Sequence, residues 1–344
     1  MFLRNAWYAA GWSRDYERTL TAETFLGEEI VIFRREDGSP VALQDACPHR
    51  KLPLSFGQLK GDTVECGYHG LTFDGGGRCV AAPTQPGSIP RRARVKSYPA
   101  IDRYGLLWIW MGDPEAADPD LVFPIENFDD PSWGRTDGGV LEIDCNYLWI
   151  CDNLLDPSHV AWVHVGSFAG SGTDDVPLEV TRTERGVIVW RWIRGRPPSP
   201  YYAELVKFDG PCDRLQHYEM CVPGIALNKS VYTPAGTGGA GAAPVPETYV
   251  NISYNFMTPI SAERTRYIWF QHRNTDPQDA TISQQMNEGA RQAFEEDRAV
   301  LERVQRGMAR DGSEAIDLGL DAGAKLFRRH LERLIDEESA GAGA

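Results

Sequence analysis

Between residues 24 and 112 the apolar residues fall in short runs, none longer than the six of Leu106–Met111, broken by Gly, Pro and charged residues. That pattern predicts strands joined by tight turns, not helices. "EIVIFRREDGSPVALQDA" predicts a hairpin with Asp37-Gly38 at the turn and β-formers on both sides. "YHGLTFDGGGRCV" repeats the device with Gly75 to Gly77 at the bend. "YGLLWIWMGDP" is an aromatic and aliphatic strand closed by Gly112-Asp113-Pro114. The Asp- and Pro-rich stretch 113–135 reads as a connector. It divides the chain into an all-β region, 1–113, and a second domain, 114–344.

The second region mixes both periods. "LEIDCNY" predicts a strand leading into a helix from about Tyr147. "VIVWRWIRG", "ETYVNISYNFMTPI" and "RTRYIWFQHRN" are strands. "TPAGTGGAGAAPVPE" (Thr233 to Glu247) has too little apolar content to pack and is expected to be a mobile loop. A stripe of Met286, Ala290, Ala293, Phe294, Leu301, Val304 and Met308 predicts a long helix over roughly 281–310. A last helix, "AKLFRRHLERLIDEE", follows the cap residue Asp321, and the tail "SAGAGA" is expected to be disordered. The fold class is α+β, without internal repeats.

Composition narrows the partners. With 344 residues, 42% hydrophobic and 10 Trp, the chain can bury a sizeable core. A net charge of −14 argues against nucleic acid or an anionic membrane as a partner and favours solubility. No apolar run approaches the ~20 residues that span a bilayer. The start "MFLRNAWYAAGW" does not read as a signal peptide, and seven Cys, an odd number, fit a reducing compartment. A cytoplasmic location is expected, with cysteine used for metal binding or catalysis.

Candidate chemistry is concentrated in "ACPHRKLPLSFGQLKGDTVECGYHG". Cys47 and His49 are separated by one residue, Cys66 and His69 by two, with 16 residues between the pairs. Two loops presenting one Cys and one His each can bind Zn²⁺ or a two-iron cluster. Zinc knuckles pair C-x₂₋₄-C with H-x₃₋₅-H, whereas the mixed pairs suit a [2Fe–2S] centre with Cys47 and Cys66 on one iron and His49 and His69 on the other. Neutral imidazoles in place of two thiolates raise the reduction potential. "CPHR…CGYHG" resembles the Rieske motif, with Cys79 outside it as a packed thiol.

A second cluster lies in "CDNLLDPSHVAWVH", which offers Asp152, Asn153, Asp156, His159 and His164. His159 and His164 are five apart, about 140° around an ideal helix, so they reach one metal only where the helix bends or ends. The alternative is a helix end with satisfied polar side chains. Asp297 falls on the apolar stripe of the long helix, with Glu295 and Glu296 turned away from its centre. A carboxylate on a buried face needs a cation or donors. Either a capped backbone or a metal held with the two His meets that need, the latter being the facial triad of non-haem Fe(II) oxygenases.

From "RNAWYAAGW" to "LFRRHLERLIDEE" the chain resembles the oxygenase components of Rieske non-haem iron oxygenases. It is most similar to the vanillate O-demethylase, dicamba demethylase and toluenesulfonate methyl-monooxygenase group. "MFLRNAWY", "GLLWIWMGDP", "DNLLDPSHVAWVH", "AFEEDR" and "LDAG" carry that closer match. The resemblance implies a Rieske domain followed by a helix-grip catalytic domain, with a curved antiparallel sheet over the iron. It implies that His159, His164 and Asp297 bind mononuclear Fe(II), with Asp156 and Asn153 as catalytic residues. The Asp156 carboxylate would bond His159 and, across a subunit boundary, His69 of the partner subunit, in a head-to-tail homotrimer.

No G-x-G-x-x-G turn for a dinucleotide is present, so electrons are expected from a separate reductase that carries flavin and a plant-type cluster and draws on NAD(P)H. The implied reaction uses O₂ to hydroxylate a methyl or methoxy carbon of an aromatic acid; the alternatives are a ring cis-dihydroxylase and an electron-transfer protein. Asn228 and Asn255 fall where the resemblance puts polar pocket groups. Lys229 or His217 could face an anionic substrate, and His272 and His330 are expected to be structural or exposed.

Overall fold

The computed structural model describes residues 1–85, 87–165, 168, 175–310 and 315–341. Its contacts divide the chain into two units, Met1–Pro124 with Thr258–Ala262, and Ile125–Met257 with Glu263–Ala344. The division at Pro124 lies within the Asp- and Pro-rich connector.

The first unit is built from β1 (Trp7–Trp12), β2 (Thr21–Phe25), β3 (Glu28–Arg34), β4 (Pro40–Gln44), β5 (Gln58–Lys60), β6 (Thr63–Glu65), β7 (Thr72–Phe73), β8 (Cys79–Ala81), β9 (Ser97–Tyr98), β10 (Ala100–Arg103) and β11 (Leu106–Trp110). They form sheets in the orders β1-β11-β10, β2-β3-β4-β9 and β5-β6-β7-β8. The β3–β4 hairpin closes as the sequence predicts: Arg35 N donates to Ser39 O at 2.9 Å, and the Asp37 carboxylate accepts from Ser39 N at 2.8 Å. Val31, Phe33, Val41, Leu43, Val64 and Phe73 form one apolar cluster, and Cys47 and Cys66 belong to it. Both thiols are therefore seated on a packed core.

The second unit contains β12 (Gly134–Arg135), β13 (Gly139–Ile143), β14 (Glu179–Arg182), β15 (Gly186–Arg196), β16 (Cys212–Cys221), β17 (Ile225–Pro234), β18 (Tyr249–Ser261) as far as Met257, and β19 (Arg264–Arg273). These strands form one sheet in the order β12-β19-β18-β17-β16-β15-β14, with β13 also on β19. Its helices are α1 (Tyr147–Leu154), α2 (Val160–Val163), α3 (Pro200–Ala203), α4 (Ala280–Arg310) and α5 (Ala322–Gly341). Helix α4 buries Met286, Ala290, Ala293, Asp297 and Leu301 of its predicted stripe, whereas Val304 and Met308 beyond them are exposed. Gln305 of α4 braces α1: its Oε1 accepts from Asn146 N and Trp149 Nε1, both at 3.0 Å.

Two expectations are corrected. The tail is helical through Gly341, where the Ser339 hydroxyl donates to Ile335 O at 2.8 Å; residues 342–344 lie outside the described residues. Thr233 and Pro234 belong to β17, and the following loop is tied at its start. The buried Asp213 carboxylate accepts from Gly236 N at 2.8 Å and Gly238 N at 3.1 Å, besides Gly195 N at 2.9 Å. Apolar content alone underestimates such order, because the clasp comes from a different strand. Among the described residues no helix is long and apolar enough to cross a membrane.

Candidate metal centres

The loops carrying the two Cys/His pairs repeat one backbone pattern. Cys47 N donates to Leu52 O at 2.9 Å and Lys51 N to Cys47 O at 2.8 Å. In the other loop Cys66 N donates to Leu71 O at 2.8 Å and Gly70 N to Cys66 O at 3.1 Å. Both loops turn through a left-handed residue at the same place, Lys51 at φ 62° and Gly70 at φ 73°. A Cβ on Gly70 would also lie 2.8 Å from Pro83 Cγ, so glycine is required there twice over.

This arrangement fits a cluster with mixed ligands. Cys47 and Cys66 are buried free thiols, and the rings of His49 and His69 lie 4.6 Å apart. Among the described residues His69 Nδ1 is buried without a hydrogen-bond partner, as suits a nitrogen that would ligate a metal ion. Burial pushes the Cys47 thiol up, and the adjacent Cys66 pushes it further. Iron held by Cys47 and Cys66 would reverse that balance, since a coordinating thiol is deprotonated.

In the second unit the helical path breaks after α1. His159 occupies the N-cap of the four-residue α2, and His164 leaves it at φ −109°, ψ 41°. The break brings both imidazoles to Asp297. His159 Nε2 lies 3.6 Å and His164 Nε2 3.2 Å from Asp297 Oδ1, and one potential ligand atom from each residue lies within 4.8 Å of the others. His159 Nδ1 contacts the backbone carbonyl of Asp156, and His164 Nδ1 donates to Glu296 Oε2 at 2.7 Å. With Nδ1 engaged, each ring turns Nε2 to the common point, as metal-binding histidines do. Burial pulls the His164 pKa down, but hydrogen bonds and charge from Asp297 and Glu296 outweigh it, and the net shift is upward. A place that favours a proton's charge favours a metal cation's as well.

Asn153 Nδ2 donates to Asp297 Oδ1 at 3.1 Å, and its Oδ1 is buried without a partner. The Asp156 carboxylate differs from the expected bond to His159. Its Oδ1 accepts from Ser158 N at 2.8 Å and from the Ser158 hydroxyl, an Asx turn that leaves the carbonyl to the ring. Glu296 is the residue that helical phase missed. One step from the stripe was read as turned away, yet a three-bond side chain reaches His164 from there.

A cavity adjoins the triad. His159, His164, Asp297, Leu154, Val160, Phe168 and Phe294 line it on the helical side. The sheet contributes Gln216, Tyr218, Asn228, Ser230, Asn251, Ser253, Asn255 and Gln271. These residues share one face: Arg191, Gln216, Ser230 and Asn251 lie in register across β15 to β18, and Tyr218, Asn228 and Ser253 form the next row.

Asn255 lines the cavity with its own bonds satisfied: Oδ1 accepts from Tyr267 Oη at 2.8 Å and Nδ2 donates to Ser253 O at 3.2 Å. Asn228 and Asn251 each keep a buried amide oxygen without a partner. Asn251 was not singled out, although its even spacing from Ser253 and Asn255 marks it. His217 and Lys229 do not line the cavity. Each lies between two cavity residues, so alternation sends it to the opposite face, where His217 Nε2 is 3.5 Å from Glu219 Oε2. Of the two alternatives expected for His272, structural or exposed, the structure shows a buried ring between the inward Gln271 and Arg273, and among the described residues neither ring nitrogen has a hydrogen-bond partner.

Residues 6–99 match the Rieske [2Fe-2S] domain, and 143–337 match the vanillate O-demethylase oxygenase C-terminal domain. The chain is similar over its whole length to several curated proteins. The toluene-4-sulfonate monooxygenase iron-sulfur subunit of Comamonas testosteroni is 35% identical, covering 99% of both chains. The vanillate O-demethylase oxygenase subunit of a Pseudomonas species is 32% identical over 100% of this chain and 98% of its own. The dicamba O-demethylase oxygenase component of Stenotrophomonas maltophilia is 32% identical over 98% of this chain and 99% of its own. Dicamba monooxygenase bound to 3,6-dichlorosalicylic acid superposes with a TM-score of 0.89 at 30% identity, covering 100% and 99% of the two chains. Another structure of that enzyme, with non-heme iron and dicamba, gives a TM-score of 0.81 at 28% identity, covering 98% and 99%.

Proposed function

We propose that this chain, which belongs to the Rieske oxygenases of the vanillate O-demethylase, dicamba O-demethylase and toluene-4-sulfonate monooxygenase group, inserts one oxygen atom into a methyl or methoxy C–H bond of an aromatic acid. The observation that carries this reading is the convergence of His159, His164 and Asp297 on a cavity with apolar and neutral polar walls.

Cys47 and Cys66 would hold one iron of the [2Fe–2S] cluster and His49 and His69 the other, with His159, His164 and Asp297 on mononuclear Fe(II). Once bound, the two centres supply the electrons that triplet O₂ needs before it can act on an inert C–H bond.

The chain's own residues set the conditions for that chemistry. Glu296 accepts the proton-bearing Nδ1 of His164 and keeps Nε2 aimed at the metal point. Asn153 donates to Asp297 Oδ1 and so orients the carboxylate. Leu154, Val160, Phe168 and Phe294 exclude water, and the amides of β16 to β19 fix the ring's orientation. The unpartnered oxygens of Asn228 and Asn251 suit a donor on the substrate, such as a ring hydroxyl.

A hydroxylated methoxy carbon is a hemiacetal that releases formaldehyde, whereas a ring methyl stops at the alcohol. Cavity shape therefore selects between demethylation and methyl hydroxylation. Electrons come from a separate NAD(P)H-dependent reductase. In a head-to-tail trimer, the Asp156 carboxylate would turn toward His69 of the partner subunit.

The test is NADH- and O₂-dependent turnover with a surrogate reductase across methoxylated and methylated aromatic acids, following formaldehyde and hydroxymethyl products. From ¹⁸O₂, one ¹⁸O atom is expected in a hydroxymethyl product, whereas in demethylation it leaves with formaldehyde and the phenol keeps the substrate's own oxygen. Two atoms in a ring diol would make the protein a dihydroxylase, and iron-loaded protein that never turns over would leave it an electron carrier.

A further inference from the structure

We propose that Arg191, acting through Gln216, makes the cavity selective for an aromatic oxyanion, a carboxylate or a sulfonate. The inference rests on the reaction proposed above and assigns its substrate selectivity to a residue that does not line the cavity.

Arg191 is 3% exposed, and among the described residues Asp156 and Asp175 act on it only from beyond ion-pair distance. Its Nε donates to Gln216 Oε1 at 2.7 Å, its Nη1 donates to Val176 O at 2.9 Å, and its buried Nη2 has no partner among the described residues. A guanidinium stays charged, and burying one without a carboxylate is costly unless an anion completes the site.

Gln216 transmits that charge. It lies opposite Arg191 in the sheet register and lines the cavity that holds His159, His164 and Asp297. Because Oε1 is taken by the guanidinium, the carboxamide offers its NH₂ to a ligand. That NH₂ has only a weak contact, 3.5 Å, to Tyr218 Oη. Hydrogen bonding to a cation polarises the amide and strengthens its donor end.

Two features of the surroundings agree. Asp297 is the only carboxylate among the described residues that line the cavity, and it is committed to the metal point. Arg214, also buried on this face of β16, adds positive charge, since it acts with burial to lower the Arg191 pKa against Tyr218, Asp156 and Asp175. A chain of net charge −14 repels anions at long range, so an anionic substrate needs such a local positive field.

The test is equilibrium binding to the iron-loaded full chain without O₂ or reductant, comparing 4-toluenesulfonate with 4-toluenesulfonamide and 4-methoxybenzoate with 4-methoxybenzamide. Wild-type protein should favour the anion of each pair by about tenfold or more. Arg191→Gln should erase that preference while leaving amide binding within about twofold, and Arg191→Lys should restore part of it. Gln216→Glu, which pairs the guanidinium with a carboxylate and removes the NH₂ donor from the cavity, should lose the preference for both anions. If Arg191→Gln does not fold, the Gln216→Glu result decides.

Equal loss of anionic and neutral ligands in Arg191→Gln would make Arg191 a latch for Val176 and overturn the inference. So would a wild-type protein that turns over the neutral ethers and ignores the anions, although the proposed reaction would stand. A wild-type protein that turns over neither class overturns the reaction itself.

Discussion

Cys47, His49, Cys66 and His69 come from two loops whose backbones repeat each other bond for bond, whereas the triad joins a broken helical segment to a helix far along the chain. His164 and its orienting Glu296 are 132 residues apart. In the first region main-chain bonds set each loop, and the thiols rest on a local core. In the second, the ligands meet only because α4 packs against α1 and the sheet, and side chains aim the rings. Local backbone geometry makes one centre largely self-sufficient, and tertiary packing makes the other contingent.

The sharpest way to break that contrast is to empty each centre in turn. Asp297→Ala should lower turnover by about 10³-fold or more and remove mononuclear iron, yet leave the Rieske visible and EPR signals. Cys66→Ser should do the reverse, losing those signals while retaining iron at the triad. If either variant emptied both centres, their independence would be gone.

Acid supplies a handle on the second unit. Burial, with Arg135 adding to it, lowers the His272 pKa from 6.5 to about 4. Because the folded value is depressed, its contribution to stability is complete above pH 6.5 and declines as pH falls toward 4. The loss should approach about 3 kcal/mol. Urea midpoints at neutral pH and at about pH 5 should differ less in His272→Phe than in wild type. Parallel midpoints would show that some other group controls the acid limb.

Glu296→Ala tests the contingency of the triad more gently. Iron affinity there should fall by about 10- to 100-fold with the cluster intact, and Glu296→Gln should recover part of it because its amide oxygen still accepts. Unchanged iron occupancy under chelator competition would mean that packing alone aims His164. Smallest are the paired loop substitutions. Gly70→Ala should destabilise by about 1–2 kcal/mol, and Lys51→Gly should be neutral or stabilise by less than about 1 kcal/mol. Thermal loss of the cluster's absorbance would register both, and equal shifts would contradict the correspondence between the loops.

The same contrast explains what was legible in the sequence. The hairpins, the paired Cys/His loops and the long helix follow from signals within a few residues of each other. Asp297 was readable because a carboxylate on an apolar stripe demands a partner. Glu296 was hidden because phase describes the direction of Cβ and says little of where a long side chain ends. His217 and Lys229 were avoidable errors: strict alternation places them opposite Gln216, Tyr218, Asn228 and Ser230. The Asp213 clasp on the 236–238 loop and the Arg191–Gln216 pair depend on strand register, which no single segment announces.

Every residue of the triad is carried by helical segments, while the amides that face a substrate stand on β16 to β19. Oxygen reactivity and molecular recognition thus occupy opposing walls of one chamber. Side chains along the strands can therefore be exchanged without altering the three residues that would hold the metal.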